Sequence, residues 1–151
     1  MICNNRWSII NKDRMKEKRI MEEINLHTLL FADKVITEDN GKKGIIGVFN
    51  IFNFPRFPAI SPPWFVFVQM DNFRTGKYDF TFNLAHQHTQ EVVFSGAGEF
   101  EIKKGQEGME LVLSIPPLHF RREGNYILSL VVNGREIGQR ILKVRKKEDK
   151  G

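Results

Sequence analysis

Lys77-Tyr78-Asp79-Phe80-Thr81-Phe82-Asn83-Leu84 alternates polar and apolar residues, and no glycine or proline interrupts it. Successive side chains of a strand point to opposite faces, so this period of two predicts a half-buried strand. Tyr78, Phe80, Phe82 and Leu84 would face a core, with Lys77, Asp79, Thr81 and Asn83 in water. Leu111, Leu113 and Ile115 repeat the pattern against Glu110 and Ser114. Tyr126, Leu128, Leu130 and Val132 repeat it again. Ile45 to Phe54 and Trp64 to Met70 are apolar on both faces, which predicts central strands.

Turn residues separate these runs. Glu38-Asp39-Asn40-Gly41 is expected to join two strands, and Asn133-Gly134 to close a hairpin, because both residues accept the positive φ of a type I′ turn. Gly76, Ser95-Gly96-Ala97-Gly98, Lys104-Gly105 and Gly124 read as further turns, and Gly47 and Gly138 as bulges inside strands. Leu26 to Ile36 fits an amphipathic helix as well as a strand, and the turn after it favours a hairpin. Eight or nine short strands with turns every 8–12 residues predict an all-β fold, a single Greek-key-like antiparallel β-sandwich. Its expected core includes Phe49, Phe52, Trp64, Val66, Phe80, Phe82, Leu113, Tyr126, Leu128 and Leu130. A short helical turn is allowed for Pro117 to Arg122.

At 151 residues the chain is sized for one domain, and 41% hydrophobic with 27% charged residues is an ordinary globular composition. The expected division is a polar extension over 1–25, the sandwich over 26–144 and a basic tail over 145–151. Residues 1–25 read in two ways: an over-extended start, with Met15 or Met21 the true first residue, or a loosely helical extension. On either reading they carry too few apolar residues to replace a core face.

The net charge of +5 is unevenly placed. Residues 1–25 carry net +2, residues 143–151 net +3, and 26–142 are neutral. Phosphate binding wants its basic residues on a folded face, so no nucleic-acid partner is expected. No apolar run approaches the roughly 18 residues of a membrane helix, and no membrane contact is expected. The single cysteine, Cys3, allows no internal disulfide, and the N-terminus lacks a secretory pattern, so the expected location is the cytoplasm.

The motifs of common enzymes are missing: no Gly-x-Ser-x-Gly, His-Glu-x-x-His, phosphate-binding Gly-x-x-x-x-Gly-Lys or Cys-x-x-Cys occurs. His86 and His88 lie two apart and could share a metal on a strand, but a stable site needs more ligands, and the plainer reading is a polar strand end. Asp33 sits in an apolar run and could be a carboxylate of raised pKa, yet it has no matching partner, and a structural or solvated role fits better. No cofactor or metal is expected. The segment Pro55 to Trp64 is the candidate interaction loop, with Arg56, Phe57, Ile60 and Trp64 as its contact residues. Phe57 and Ile60 could instead turn inward and plug one end of the sandwich. The expected function is a non-enzymatic interaction or accessory module that binds an unknown protein partner or itself. The alternative is a small-ligand or carbohydrate binder using Trp64, Phe57 or Tyr78.

From Leu29 to Pro63 the chain reads Leu-Leu-Phe-Ala-Asp, Asp-Asn-Gly-Lys, Ile-Ile-Gly-Val-Phe-Asn and Phe-Pro-x-x-x-Pro-Pro. Further on come Gly124-x-Tyr126, Asn133-Gly134, Ile137-Gly138 and Val144. Over roughly 26–145 this resembles a family of small bacterial proteins known only as a domain of unknown function. The resemblance implies a cytoplasmic β-sandwich, transfers no catalytic residues, and implies a start close to the first strand.

Overall fold

A computed structural model describes residues 24–148. The two readings of residues 1–23, and the last three residues of the basic tail, lie outside the described residues.

Strand β1 (Asn25–Thr37) resolves the helix-or-strand ambiguity of Leu26 to Ile36 in favour of the strand. It turns through Glu38–Lys42, where the Glu38 amide donates to the Lys42 carbonyl at 2.8 Å, into β2 (Lys43–Phe49). On its other side β1 pairs with β5 (Trp64–Asp71), and β5 with β8 (Gly108–Ile115). These form a four-stranded antiparallel sheet, β2-β1-β5-β8. The second sheet has five strands, in the order β3 (Ile51–Phe54), β11 (Arg135–Lys146), β10 (Gly124–Val132), β6 (Gly76–His86) and β7 (Val92–Ile102). Strands β4 (Ala59–Ile60) and β9 (His119–Phe120) form a small pair of their own. The fold is the all-β sandwich read from the sequence, with eleven strands rather than eight or nine. Part of the difference is β4 and β9, the latter in place of the helical turn at Pro117 to Arg122.

Another part is Ile45 to Phe54, which is not one central strand. It bends at Asn50 and changes sheet, so β2 is one edge of the four-stranded sheet and β3 one edge of the five-stranded sheet. The short β3 lies parallel to β11, the Lys143 amide donating to the Asn50 carbonyl at 2.9 Å. A strand that switches sheets closes one side of a sandwich. Phe49 packs with the first sheet and Phe52 and Phe54 with the second, and the three rings make a ladder with centroids 4.7 and 5.6 Å apart.

Inward residues alternate as the pattern requires. Phe31, Trp64, Val66, Val68 and Met70 meet Phe80, Phe82, Leu84, Leu128, Leu130, Leu142 and Val144, all buried. Each such side chain contributes about 1.5–3 kcal/mol by leaving water. Of the expected core, Phe49, Phe52 and Leu113 are only half-buried, because each lies on an edge strand. Gly96 and Gly98 are not turn residues. They lie within β7 opposite Phe82 and Phe80, whose rings lean over them: a Cβ at either would come within 2.7 Å of a ring carbon. Asn133 (φ 50°) and Gly134 (φ 80°) do close the β10–β11 hairpin, and the register slips by one between Leu130 and Val131, next to Gly138.

Both tyrosines of the chain perform one task. Tyr78 and Tyr126 stand two residues after Gly76 and Gly124, at the starts of the neighbouring strands β6 and β10. Their hydroxyls donate back to the carbonyls of Arg74 and Arg122, at 2.8 and 2.7 Å. Each tyrosine thereby fixes the corner by which the chain enters the sheet, as in other sandwiches.

Candidate functional site

The segment Pro55 to Trp64 is pinned at both ends. Ala59 and Ile60 pair with Phe120 and His119, and the Ser61 amide and hydroxyl bond the Leu118 carbonyl and amide, each at 2.9 Å. Phe57 turns inward, edge-on to Phe54 at 5.9 Å, and Arg56 and Ile60 remain outside, Ile60 being 61% exposed. Trp64 does not belong to an interaction surface. It is 1% exposed, edge-on to Phe31 at 5.1 Å and to Phe49 at 5.6 Å, because it is the first inward residue of central strand β5. Tyr78 is buried too, so neither aromatic offers a face on which a sugar ring could stack.

His86 is buried at the end of β6, and both ring nitrogens are engaged. Nε2 donates to the Glu123 carbonyl at 3.0 Å, since a carbonyl can only accept. Nδ1 accepts from the amides of His88 and Thr89, at 3.2 and 3.1 Å. The hydrogen-bond partners thus assign the neutral tautomer with the proton on Nε2. Gly124, at φ +148°, leaves room for the ring: a Cβ there would sit 2.2 Å from Nε2. His86 ties the β6–β7 connection to the corner before β10, and His88 lies in that connection with its ring centroid 6.0 Å away. Among the described residues, no group of three or more His, Cys, Asp or Glu gathers where a metal could be held. Asp33 is exposed and lies across from Gly47, whose φ of +71° and missing side chain accommodate the carboxylate.

The basic run at the C-terminus begins inside the sheet. β11 continues through Lys146, and the Lys147 amide donates to the Phe54 carbonyl at 2.7 Å. Arg145, Lys146 and Lys147 border an open cleft of about 870 Å³ with Asn53, Pro55, Glu123 and Glu148. The Arg145 guanidinium is tied to Asn125 at 2.7 Å.

The most unusual surface is one the sequence concealed. A two-layer sandwich ordinarily keeps its outer faces polar. The five-stranded sheet largely does so, with Lys77, Asp79, Thr81, Asn83 and Ser129 outward, and Ile51 and Ile141 exposed near one edge. The outer face of the four-stranded sheet carries an apolar patch, with Thr28, Gln69 and Glu110 toward one end and Lys34 toward the other. Register places Val48 beside Ala32 and Phe65, and Leu30 beside Phe67 and Val112, all on the side away from the core. Toward the β1–β2 corner Ile36, Ile46 and Val48 are 47%, 49% and 56% exposed. Contiguous exposed apolar side chains of this kind mark contact surfaces. Their sequence signal, apolar residues on both faces of a run, is the same signal that predicts a central strand.

The class of protein is therefore an all-β sandwich with two tyrosine corners, one largely wet outer face and one outer face that carries an apolar patch. Residues 27–145 match the family of unknown function DUF6941, and the chain belongs to that family. The chain matches none of the curated proteins. Among solved structures it is similar to the Pseudomonas fluorescens alkylpurine DNA glycosylase AlkC bound to DNA containing an abasic site analog, at 10% identity and a TM-score of 0.48. The similarity covers 82% of this chain and 30% of that one, so the chain spans less than a third of that protein. That protein holds DNA, and the expectation that excluded a nucleic-acid partner is withdrawn; the likeness assigns this chain no DNA contact. Among the described residues no helix is long and apolar enough to cross a membrane.

Proposed function

We propose that this protein is a non-enzymatic interaction module of the bacterial cytoplasm, and that its contact surface is the β1–β2 corner of the four-stranded sheet. The observation that carries the reading is the exposure of Ile36, Ile46 and Val48 side by side on an outer sheet face. Lys34 stands among them, directly across from Ile46, and Lys43 lies at the corner. Such a surface suits a partner with an apolar centre and an acidic margin. The engagement of His86 in holding the loop before β7, and the solvated position of Asp33, favour binding over catalysis. The single cysteine favours a reducing compartment, and the resemblance to a bacterial family favours such a host.

The test compares three forms of the full chain as bait in host lysate: wild type, Ile46→Lys with Val48→Lys, and Thr81→Lys on the opposite outer face. Bound protein and nucleic acid are both identified. A partner retained by wild type and Thr81→Lys and lost by the double variant supports the reading. Equal recovery by all three baits, or a partner lost by Thr81→Lys and kept by the double variant, overturns it.

A further inference from the structure

One long side of the sandwich is closed and the other is open. The β2-to-β3 crossover closes the first with Phe49, Phe52 and Phe54, and the opposite edges of the two sheets are β8 and β7. On that open side Phe94 and Phe100 in β7, and Leu111 and Leu113 in β8, are only half-buried against the core. The four sheet edges differ. β3 has four residues and runs into Pro55, which has no N–H to pair. β2 holds Gly47 at φ +71°, which breaks its extended run. β8 has eight residues. β7 has eleven, pairs with β6 along one side only, and from Phe94 to Ile102 contains no lysine, arginine or proline. Its one slip of register, at Val93, lies at its start. Such an edge presents a row of unpaired N–H and C=O groups, and natural sheets ordinarily blunt one with lysine, proline or a bulge. No described strand covers it.

We propose that the β7 edge is the interface of a homodimer. β7 of one copy pairs antiparallel with β7 of a second copy about a two-fold axis through Ala97, joining two five-stranded sheets into one. Ala97 is the midpoint of Val92–Ile102, so this register uses the whole edge. It sets Phe94 opposite Phe100, Ser95 opposite Glu99 and Gly96 opposite Gly98, each twice by symmetry. Directly opposite residues of antiparallel strands point to one face and interact as pairs. The half-buried rings of Phe94 and Phe100 therefore meet on the core side, while the exposed Glu99 and Glu101 stay on the wet outer face. Both four-stranded sheets then lie on the same side of the joint sheet. Charge selects the register. An axis through Glu99 or Phe100 would set glutamate against glutamate, which is destabilising, whereas an axis through Ala97 sets Glu99 and Glu101 against Ser95 and Val93. At the centre Gly96 and Gly98 bring no side chains, and the Phe82 and Phe80 rings of their own copy already lean over them. This edge is separate from the β1–β2 corner, and the inference does not depend on the binding role proposed there.

The test is sedimentation of the full chain, which reads its mass and the dissociation constant of the dimer. Wild type should sediment at twice the chain mass in the micromolar range. Ser95→Glu sets a carboxylate opposite each Glu99 and should weaken the dimer about two- to thirtyfold, the effect of two like-charge pairs of ordinary cross-strand strength. Ser95→Lys sets an ammonium there and should strengthen it. Ser95 is exposed within one copy, so opposite shifts from the two variants read the interface rather than the fold. A chain that stays monomeric through that range, or a dimer that responds to both variants alike or to neither, overturns the proposal. In a Cys3→Ser background, which removes the one native cysteine, oxidation of Ala97→Cys should link two copies, and oxidation of Val112→Cys on β8 should not. Linkage at position 112 alone, or a dimer abolished by Ile46→Lys with Val48→Lys, assigns the joint to another surface and overturns it as well.

Discussion

Gly76 and Gly124 form a matched pair. Each precedes a tyrosine corner by two residues, and their φ angles are +150° and +148°. Alanine at either site meets the same backbone strain, about 1–3 kcal/mol. The surroundings differ. A Cβ at Gly76 meets nothing within 4 Å, whereas one at Gly124 would lie 2.2 Å from His86 Nε2 and 2.8 Å from Cδ2. Since the imidazole is buried, it cannot yield without disturbing its hydrogen bonds to Glu123, His88 and Thr89. Each is worth about 0.5–1.5 kcal/mol. Gly124→Ala should therefore cost about 1.5–4 kcal/mol more than Gly76→Ala. The two variants are compared with wild type by urea unfolding. At a slope of about 1–3 kcal/mol/M, a gap near 3 kcal/mol separates the midpoints by roughly 1–3 M. Costs that agree within about 0.5 kcal/mol would refute the locked role assigned to His86.

Gly98→Ala should cost about 1–3 kcal/mol, because its Cβ would lie 2.7 Å from the Phe80 ring; adding Phe80→Leu should recover part of the loss in thermal melts. Burial, and secondarily the Glu91 carboxylate, push the Tyr126 hydroxyl above its ordinary 10.0. The fold thus favours the neutral phenol, and this contribution is complete below pH about 10 and lost as pH rises through the folded-state value. Tyr126→Phe should cost about 0.5–1.5 kcal/mol at pH 7 from the lost bond to Arg122, and denaturation across pH should show the cost shrinking above pH about 10. A cost that grows there would contradict the assigned direction. Ile46→Lys and Val48→Lys should each change stability by no more than about 0.5 kcal/mol, since both side chains are half exposed. A loss above 2 kcal/mol would return them to the core.

Local chemistry was legible. The alternation of Tyr78 to Leu84 and the Asn133-Gly134 turn appear in the structure as they read in the sequence, because a strand's period and a turn's φ are properties of a few adjacent residues. What depends on distant pairing was not. Gly96 and Gly98 look like turn residues until β6 is known to lie beside them with Phe82 and Phe80 opposite. Ile45 to Phe54 looks central until its bend at Asn50 distributes it to two sheet edges. Trp64 follows a proline-rich loop and reads as a contact residue, but its place in β5 next to β1 buries it. The apolar corner was hidden for the same reason. An apolar residue facing a second sheet and one facing water are written alike, and only the count of layers tells them apart.

The role of that corner can be read most directly by photo-crosslinking in the native host, with a photoreactive amino acid replacing Val48 in one strain and Asn83 in another. The account expects a discrete adduct from position 48, in the apolar patch of one outer face, and none from position 83, on the polar outer face. No adduct from position 48, or the same adduct from both positions, would contradict it.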